Sequence, residues 1–305
     1  MKYAVLAVAA IAAVSFFAMS EMSYDETDAL FENFVQEYKR SYFSQDEYNL
    51  RKENFRAFLK LVDERNAVDT AEHGITKFAD WSQAEFEAIL TAKSDVAVLP
   101  EHDEPYEYRD IDHKSETTPV KDQGACGSCW AFSAVEAVET QHFHYTGQLV
   151  DMSEQQLVDC DTYHYGCNGG WMYKAIEYME KQGQWSLESE YPYTARDGTC
   201  QSRTGSVNLK VLKNRRSSGT SKLASELVKD SPSVAVDAGT WSSYRSGVLT
   251  NCGKRTNHGV QAVGMDNNGN WILRNSWGRR WGDAGYITLA AGNTCAVASD
   301  ISTPY

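Results

Sequence analysis

The sequence predicts an α+β chain, helical in its earlier part and β-rich in its last third. Three observations carry that reading. Apolar residues recur at spacings of three and four through much of residues 21–100, and again from Trp130 to His144. The stretch from Asp110 to about Gln201 is helix-rich. From about Leu209 onward, Val- and Ile-rich runs are separated by Gly and Asn, as strands are. A helical half followed by a β half fits two lobes with a cleft between them.

In chain order, residues 1–20 hold a single Lys, then an apolar run ending Ala18-Met19-Ser20, a small-x-small cleavage site. This reads as a secretory signal peptide. The alternative is an uncleaved membrane anchor, but the run is near the short limit for spanning a bilayer. Two helical stripes follow. Leu30, Phe31, Phe34, Val35 and Tyr38 form the first; Leu50, Phe55, Phe58, Leu59 and Val62 form the second. Trp81, next to Asp80, is expected in the core. Residues 93–108, with Pro100 and the acidic run Glu101-His102-Asp103-Glu104, read as a linker. Helices are expected from Trp130 to His144 with Gly147 as the stop, over Ser153–Cys160 with Ser153 as the cap, and over Trp171–Lys181. Strands are expected at Val234–Ala238, Val260–Met265 and Trp271–Arg274.

With 305 residues, 42% of them hydrophobic, the chain can bury one or two sizeable cores. Its net charge of −13 is uneven. Residues 21–104 hold 20 acidic and 9 basic side chains, a net of −11; residues 105–305 hold 22 and 19, a net of −3. The acidity belongs to the first segment, which argues against a nucleic-acid partner. All seven cysteines lie at or after Cys126, so one free thiol plus three bridges is the economical reading. Bridges imply an oxidising compartment. Sequence alone leaves 15 pairings of six cysteines open. A zinc site on Cys126, Cys129, Cys160 and Cys167 is the other use of these residues; the spacing is poor for a zinc ribbon, so no metal is expected.

The chemistry centres on Gln123-Gly124-Ala125-Cys126-Gly127-Ser128-Cys129-Trp130. Cys129 falls in the first turn of a helix, where the dipole favours a thiolate, the reactive form of the residue. An imidazole from elsewhere would lower the pKa further. His73, His102 and His113 precede the motif, and His142 and His144 lie about four turns along the same helix, out of reach. His164 lies in a Tyr/Gly-rich loop. His258 opens the apolar run Gly259–Gly264, and Asn275-Ser276-Trp277-Gly278 begins seventeen residues later. An Asn side chain can fix an imidazole tautomer, and a nearby Trp can shield that hydrogen bond from water.

These pieces, with Gly166-Cys167-Asn168-Gly169-Gly170 and Trp281-Gly282, resemble the papain-like cysteine peptidases of the cathepsin L type, in the right order and from about Phe31 to Tyr305. Glu47-x3-Arg51-x3-Phe55, continuing to Val62 and Asn66, resembles the ERFNIN pattern of their propeptides, with Phe58 where Asn is usual. Gly74-x-Thr76-x-Phe78-x-Asp80 resembles their second propeptide motif, with Thr76 for Asn. Asp110-Ile111 departs from the usual Asp-Trp, which leaves the mature N-terminus unfixed by several residues.

The resemblance implies a papain-like two-lobe fold preceded by a small helical propeptide: a signal peptide at 1–20, an inhibitory propeptide at 21–104 and a peptidase domain at 105–305. It implies catalysis by Cys129, His258, Asn275 and Gln123. It implies substrate contacts at Gly169, Gly170, Trp171, Met172, Ala235, Thr256, Gly259, Trp277 and Asp300, and bridges Cys126–Cys167, Cys160–Cys200 and Cys252–Cys295. Met172 and Ala235 favour a bulky apolar side chain two residues before the cut. A carboxylate at Asp300 would admit Arg or Lys as well, unless it is simply solvated. The expected partners are protein and peptide substrates and the chain's own propeptide, with no nucleic acid, no stable membrane anchor, no cofactor and a monomeric state. The expected location is the secretory pathway: lysosome, acidic vacuole or extracellular space. Acid is expected to trigger activation by protonating propeptide carboxylates. A catalytically dead binding homologue, or a propeptide-like inhibitor on a carrier, are the rivals; the intact set at all four catalytic positions disfavours both.

Overall fold

The structure, a computed structural model, describes residues 24–94, 105–201, 205–209 and 212–305. The expected signal peptide and most of the linker, including Pro100 and the acidic run, lie outside the described residues. Among those described, no helix is long and apolar enough to cross a membrane. Two compact units divide the chain, residues 1–52 and 53–305.

The first unit holds helix α1 (Tyr24–Glu37) and the start of α2 (Gln45–Asn66). Aromatic packing organises it. Phe31 meets the Tyr48 ring edge-on at 5.3 Å, Tyr48 meets Tyr42 at 5.9 Å, and Lys52 pairs with Asp28 at 3.1 Å. The stripe expected through Phe55, Phe58 and Val62 is buried, but Leu50 is exposed. It stands five residues before Phe55, about 140° round the helix from it, and so off the buried face.

The second unit continues with β1 (Glu72–His73), α3 (Gln83–Glu87), β2 (Ile111–Asp112), α4 (Cys129–Thr146), α5 (Gln155–Cys160), α6 (Met172–Gln182), β3 (Gln184–Trp185), β4 (Val207–Asn208), β5 (Asn214–Ser217), α7 (Thr220–Leu227), β6 (Ser233–Val236), β7 (Tyr244–Ser246), β8 (Val248–Leu249), β9 (His258–Met265), β10 (Trp271–Arg274), β11 (Tyr286–Leu289) and β12 (Ile301–Pro304). α3 starts in a capping box: Ser82 Oγ accepts from Glu85 N, and the Glu85 carboxylate accepts from Ser82 N. α4 ends at Gly147, whose φ of 71° is the left-handed cap that glycine adopts without penalty. Helix α7 falls inside the stretch read as β-rich. The Ser217-Ser218-Gly219 before it looks like a turn, and of its buried residues only Leu223, Ala224 and Leu227 are apolar, beside the polar Thr220 and Glu226.

Strands run in the order β5-β12-β6-β9-β10-β11-β8, with β2 also on β9. All pairings are antiparallel except β11 with β8. β9 is buried along its whole length. α4 is buried from Cys129 to Thr140, and polar contacts register it against the sheet. Ser133 Oγ donates to Val260 O at 2.7 Å, and Gln261 Nε2 donates to Glu136 O at 3.0 Å and Thr140 Oγ1 at 2.8 Å. On its other side α4 packs with α6 in an apolar cluster that includes Trp130, Val135, Leu157, Ile176 and Trp185. The bridges Cys126–Cys167, Cys160–Cys200 and Cys252–Cys295 are present, and Cys129 is the free thiol.

Candidate active site

Cys129 is the first residue of α4, and His258 is the first of β9. Asn275 immediately follows β10, the antiparallel neighbour of β9. Strand pairing therefore brings side chains seventeen residues apart together: His258 Nε2 and Asn275 Oδ1 lie 2.8 Å apart, both buried. Ser276 N donates to the same Oδ1 at 2.8 Å, so this oxygen is an acceptor and His258 Nε2 carries the hydrogen. His258 stacks on Trp277 at 4.7 Å, and Trp241 closes a second side at 6.1 Å. The ring is thus held away from water with Nδ1 left for the thiol.

Burial alone would raise the Cys129 pKa. No single effect offsets that, but the charge and hydrogen bond of His258 and the backbone N–H groups of Gly259 and Thr91 together outweigh burial and bring the thiol down to about 7. This arrangement can hold a thiolate at near-neutral pH.

Gln123 is wholly buried and fixed at both ends of its amide. Oε1 accepts from Ser276 Oγ at 2.7 Å and Trp277 Nε1 at 3.1 Å. Nε2 is therefore turned the other way, donating to Cys126 O at 3.0 Å and Ile89 O at 3.3 Å. Ile89 lies in the segment that precedes the linker, so a carbonyl of that segment already takes the donor expected to serve an oxyanion. Ser276 was not singled out as a site residue in the sequence, nor was Tyr193, whose hydroxyl contacts Ser128 Oγ at 2.6 Å and donates to Gln123 O at 2.8 Å. Ser276 is marked in the sequence by its adjacency to Asn275; Tyr193 carries no local signal.

Residues 91–94 cross this site. Ala92 N donates to Asn257 O at 3.0 Å and Lys93 N to Gly170 O at 2.8 Å, so the strand is tied on both sides. It runs parallel to the Gly170 segment. Gly169 has φ of 106°, and a Cβ there would overlap the Thr91 carbonyl. The Thr91 hydroxyl donates to Gly127 O. Lys93 Nζ sits 3.8 Å from the Tyr165 ring centroid and 4.9 Å from that of Trp171. Met172 and Ala235 are buried, Thr256 is half-buried, and a Cβ on Gly259 would stand 3.1 Å from Met172 Sδ. Asp300 is only 2% exposed. Arg216 donates to it twice, Nε to Oδ1 at 2.8 Å and a terminal nitrogen to Oδ2 at 2.7 Å, and Ser94 Oγ donates to Oδ2 at 2.7 Å. It is neither solvated nor unpaired.

An aromatic cluster anchors the preceding segment. Phe78 packs on Trp277 at 5.1 Å and Phe86 on Trp277 at 5.5 Å, edge to face. Trp81, expected in the core, is half-buried and covers Phe78 from outside at 5.2 Å. Thr76, where the motif usually has Asn, is buried and its hydroxyl donates to Ser242 O at 2.5 Å.

A thiol paired with an imidazole, itself fixed by an amide, in a site crossed by an upstream strand, defines a cysteine protease held by a propeptide. The chain belongs to the papain family of cysteine proteases: the family model "Papain family cysteine protease" matches residues 103–305, and "Cathepsin propeptide inhibitor domain (I29)" matches residues 31–86. Among curated relatives it is 40% identical over 299 residues to cathepsin L 1 of Paramecium tetraurelia, covering 92% of this chain and 94% of the relative. It is 37% identical to cysteine proteinase 15A of Pisum sativum, covering 90% and 85%. Among solved structures, the recombinant stem bromelain precursor superposes with a TM-score of 0.80 at 33% identity over 92% of this chain and 99% of that one. Digestive procathepsin L 3 of Tenebrio molitor larval midgut gives 0.80 at 32% over 91% and 98%. The α+β papain-like fold and the propeptide are those the sequence implied.

Proposed function

We infer that the chain is a secretory zymogen of a monomeric cysteine endopeptidase, with the inhibitory propeptide at 21–104 and the peptidase at 105–305. The carrying observation is the crossing of Cys129, Gln123 and Gly170 by residues 89–94. Once that strand leaves, a substrate carbonyl takes its place. The Cys129 thiolate attacks the carbonyl carbon, and the C–S bond forms as the oxygen gains charge. Gln123 Nε2 and the Cys129 backbone N–H hold that oxyanion. The His258 imidazolium gives its proton to the leaving amine as the C–N bond breaks; the neutral ring then takes a proton from water, whose oxygen attacks the acyl carbon, and the C–S bond breaks to release the acid and restore the thiolate–imidazolium pair. Asn275 keeps the ring oriented.

At the second residue before the cut, Met172, Ala235 and Gly259 suit a bulky apolar side chain. Arg216 already neutralises Asp300, so a basic residue gains little there. The relatives named cathepsin L support a location in lysosome, acidic vacuole or extracellular space. Release by acid fits a buried imidazole in the propeptide, His73, discussed below.

Intact-mass labelling with an epoxysuccinyl thiol inhibitor, before and after incubation at acidic pH, tests the reading. A single adduct on Cys129, appearing only after loss of roughly the first hundred residues, is expected. A folded, processed chain that takes no adduct would overturn it in favour of a binding homologue.

A further inference from the structure

At the opposite end of α4 from Cys129 stands a second cluster of imidazole and carboxylate. His113 Nδ1 lies 2.6 Å from Glu116 Oε2, and His144 Nε2 lies 2.7 Å from the same oxygen. One ligand atom from each of the three residues falls within 4.8 Å of the others. His113 and Glu116 belong to the turn after β2, and His144 to the last turn of α4. Fifteen residues of helix separate His144 from Cys129, about 22 Å, so the cluster is not part of the cleft.

Metal-bound histidines donate a hydrogen bond from their outer nitrogen to a carbonyl or carboxylate; His113 makes such a hydrogen bond and His144 has a carboxylate close to its outer nitrogen. His113 Nε2 lies 2.7 Å from Leu227 O. A carbonyl only accepts, so that nitrogen carries a hydrogen, and Nδ1 is the ring atom turned toward Glu116. His144 Nδ1 faces Asp230 Oδ1 at 3.6 Å, again with its other nitrogen toward Glu116. A carboxylate oxygen flanked by two imidazole nitrogens needs either hydrogens or a cation between them. One divalent cation meets that need as well as a proton on each ring does. Bound at about 2.1 Å to each, the three ligand atoms would stand roughly 3.4 Å apart in a tetrahedral arrangement, so the two nitrogen-to-carboxylate separations open by under about 1 Å, while the two ring nitrogens already lie within 4.8 Å of each other.

We propose that His113, Glu116 and His144 form a site for a first-row divalent cation of the zinc class, with water as the fourth ligand and with Leu227 O and Asp230 orienting the two rings. Imidazole and carboxylate donors suit zinc and its neighbours in that row. All three side chains keep some exposure, which gives an ion a way in and leaves the fourth position to solvent. Bound there, the ion clips the first residues of the peptidase domain to the end of α4 and to the segment that closes α7.

The test uses the full-length zymogen carrying Cys129→Ala, which prevents self-processing and removes the thiol that also binds soft metals. Titration with Zn2+ by calorimetry is expected to give one ion per chain and a rise in melting temperature. Adding His144→Ala or Glu116→Gln abolishes both effects, and Asp230→Asn weakens binding by about 10–100-fold, as loss of an outer-shell partner does. Melting curves without metal show whether each variant is folded. No binding by the parent zymogen, or an ion still bound by folded His144→Ala and Glu116→Gln variants, would overturn the proposal. The first result leaves a proton-bridged ion cluster, the second a metal held elsewhere.

Discussion

Arg216 meets Asp300 side-on, with both carboxylate oxygens engaged at 2.8 and 2.7 Å and its guanidinium 4.1 Å from the Tyr173 ring centroid. A carboxylate held this way is a satisfied wall, and it does not call for a basic substrate side chain.

Arg216→Met is therefore expected to raise the ratio of kcat/KM for Arg-Arg over Phe-Arg dipeptide substrates, by about tenfold, through a freed carboxylate. Asp300→Ala should leave that ratio within about twofold while lowering stability by roughly 2 kcal/mol. The cost is below that of a fully buried pair because Arg216 keeps 18% of its side chain exposed. Fluorogenic kinetics and thermal melts on the processed enzyme check both; a collapse of the ratio in Asp300→Ala would restore Asp300 as a selector of basic residues.

Gln123→Ala should lower kcat by about 10²–10³-fold with a smaller change in KM, since the amide acts on charge that develops in the transition state. It also strands Ser276 Oγ and Trp277 Nε1, which donate to Gln123 Oε1, at about 1–3 kcal/mol. Equal kcat in the variant would remove Gln123 from the oxyanion role.

For the acid release proposed above, the direction of two shifts separates the candidate groups. Asp69 is buried, which alone would raise its pKa, but N–H groups of Thr250, Ala71 and Thr70 and the Thr250 hydroxyl hold it below the usual value. Its contribution is present above the unfolded pKa and is lost only as pH falls through that lowered value, beneath about 4. The sequence-based expectation of carboxylate protonation therefore operates too low for this residue. His73 is lowered by burial and by Arg65, against the pull of Asp69, and its Nδ1 lies 2.9 Å from Ser243 Oγ. A histidine favoured neutral when docked contributes fully above about pH 6.5 and progressively less below it. His73→Gln should shift the pH at which processing is half-maximal downward; an unchanged profile would clear His73 of the role.

Phe78→Ala removes the ring that joins Trp277 to Trp81 and Phe86. A loss of about 3–5 kcal/mol, divided between propeptide folding and docking, is expected. The zymogen should then hydrolyse substrate at neutral pH without processing, while the fully processed enzyme is unaltered; zymography and progress curves read this directly.

Much of this molecule was legible because its signals are local or come in families. The apolar spacing and Gly147 delimit α4, whose observed range Cys129–Thr146 differs from the expected one by a residue or two at each end. The order of Cys129, His258 and Asn275 carried the site. What escaped has no local mark. Arg216 and Asp300 stand 84 residues apart and meet only because β5 lies beside β12. The Glu116 cluster draws on a turn, the end of one helix and the segment after another. Helix α7 is short and comes after turn-like residues, and Trp81 follows a motif residue yet faces outward. In each case tertiary placement decided what spacing did not.

The strand at Thr91–Ser94 is tied to Gly170 on one wall of the cleft and to Asn257 on the other, independently of the chain that follows it. A cut between Ser94 and Pro105 therefore severs a tether without drawing the plug. Before the cut, inhibitor and enzyme share one molecule and a high effective concentration; afterwards they are two solutes obeying mass action. Freshly nicked protein kept concentrated is therefore expected to stay inhibited and to gain activity on dilution, so the onset of proteolysis would depend on concentration as well as on when the bond was broken.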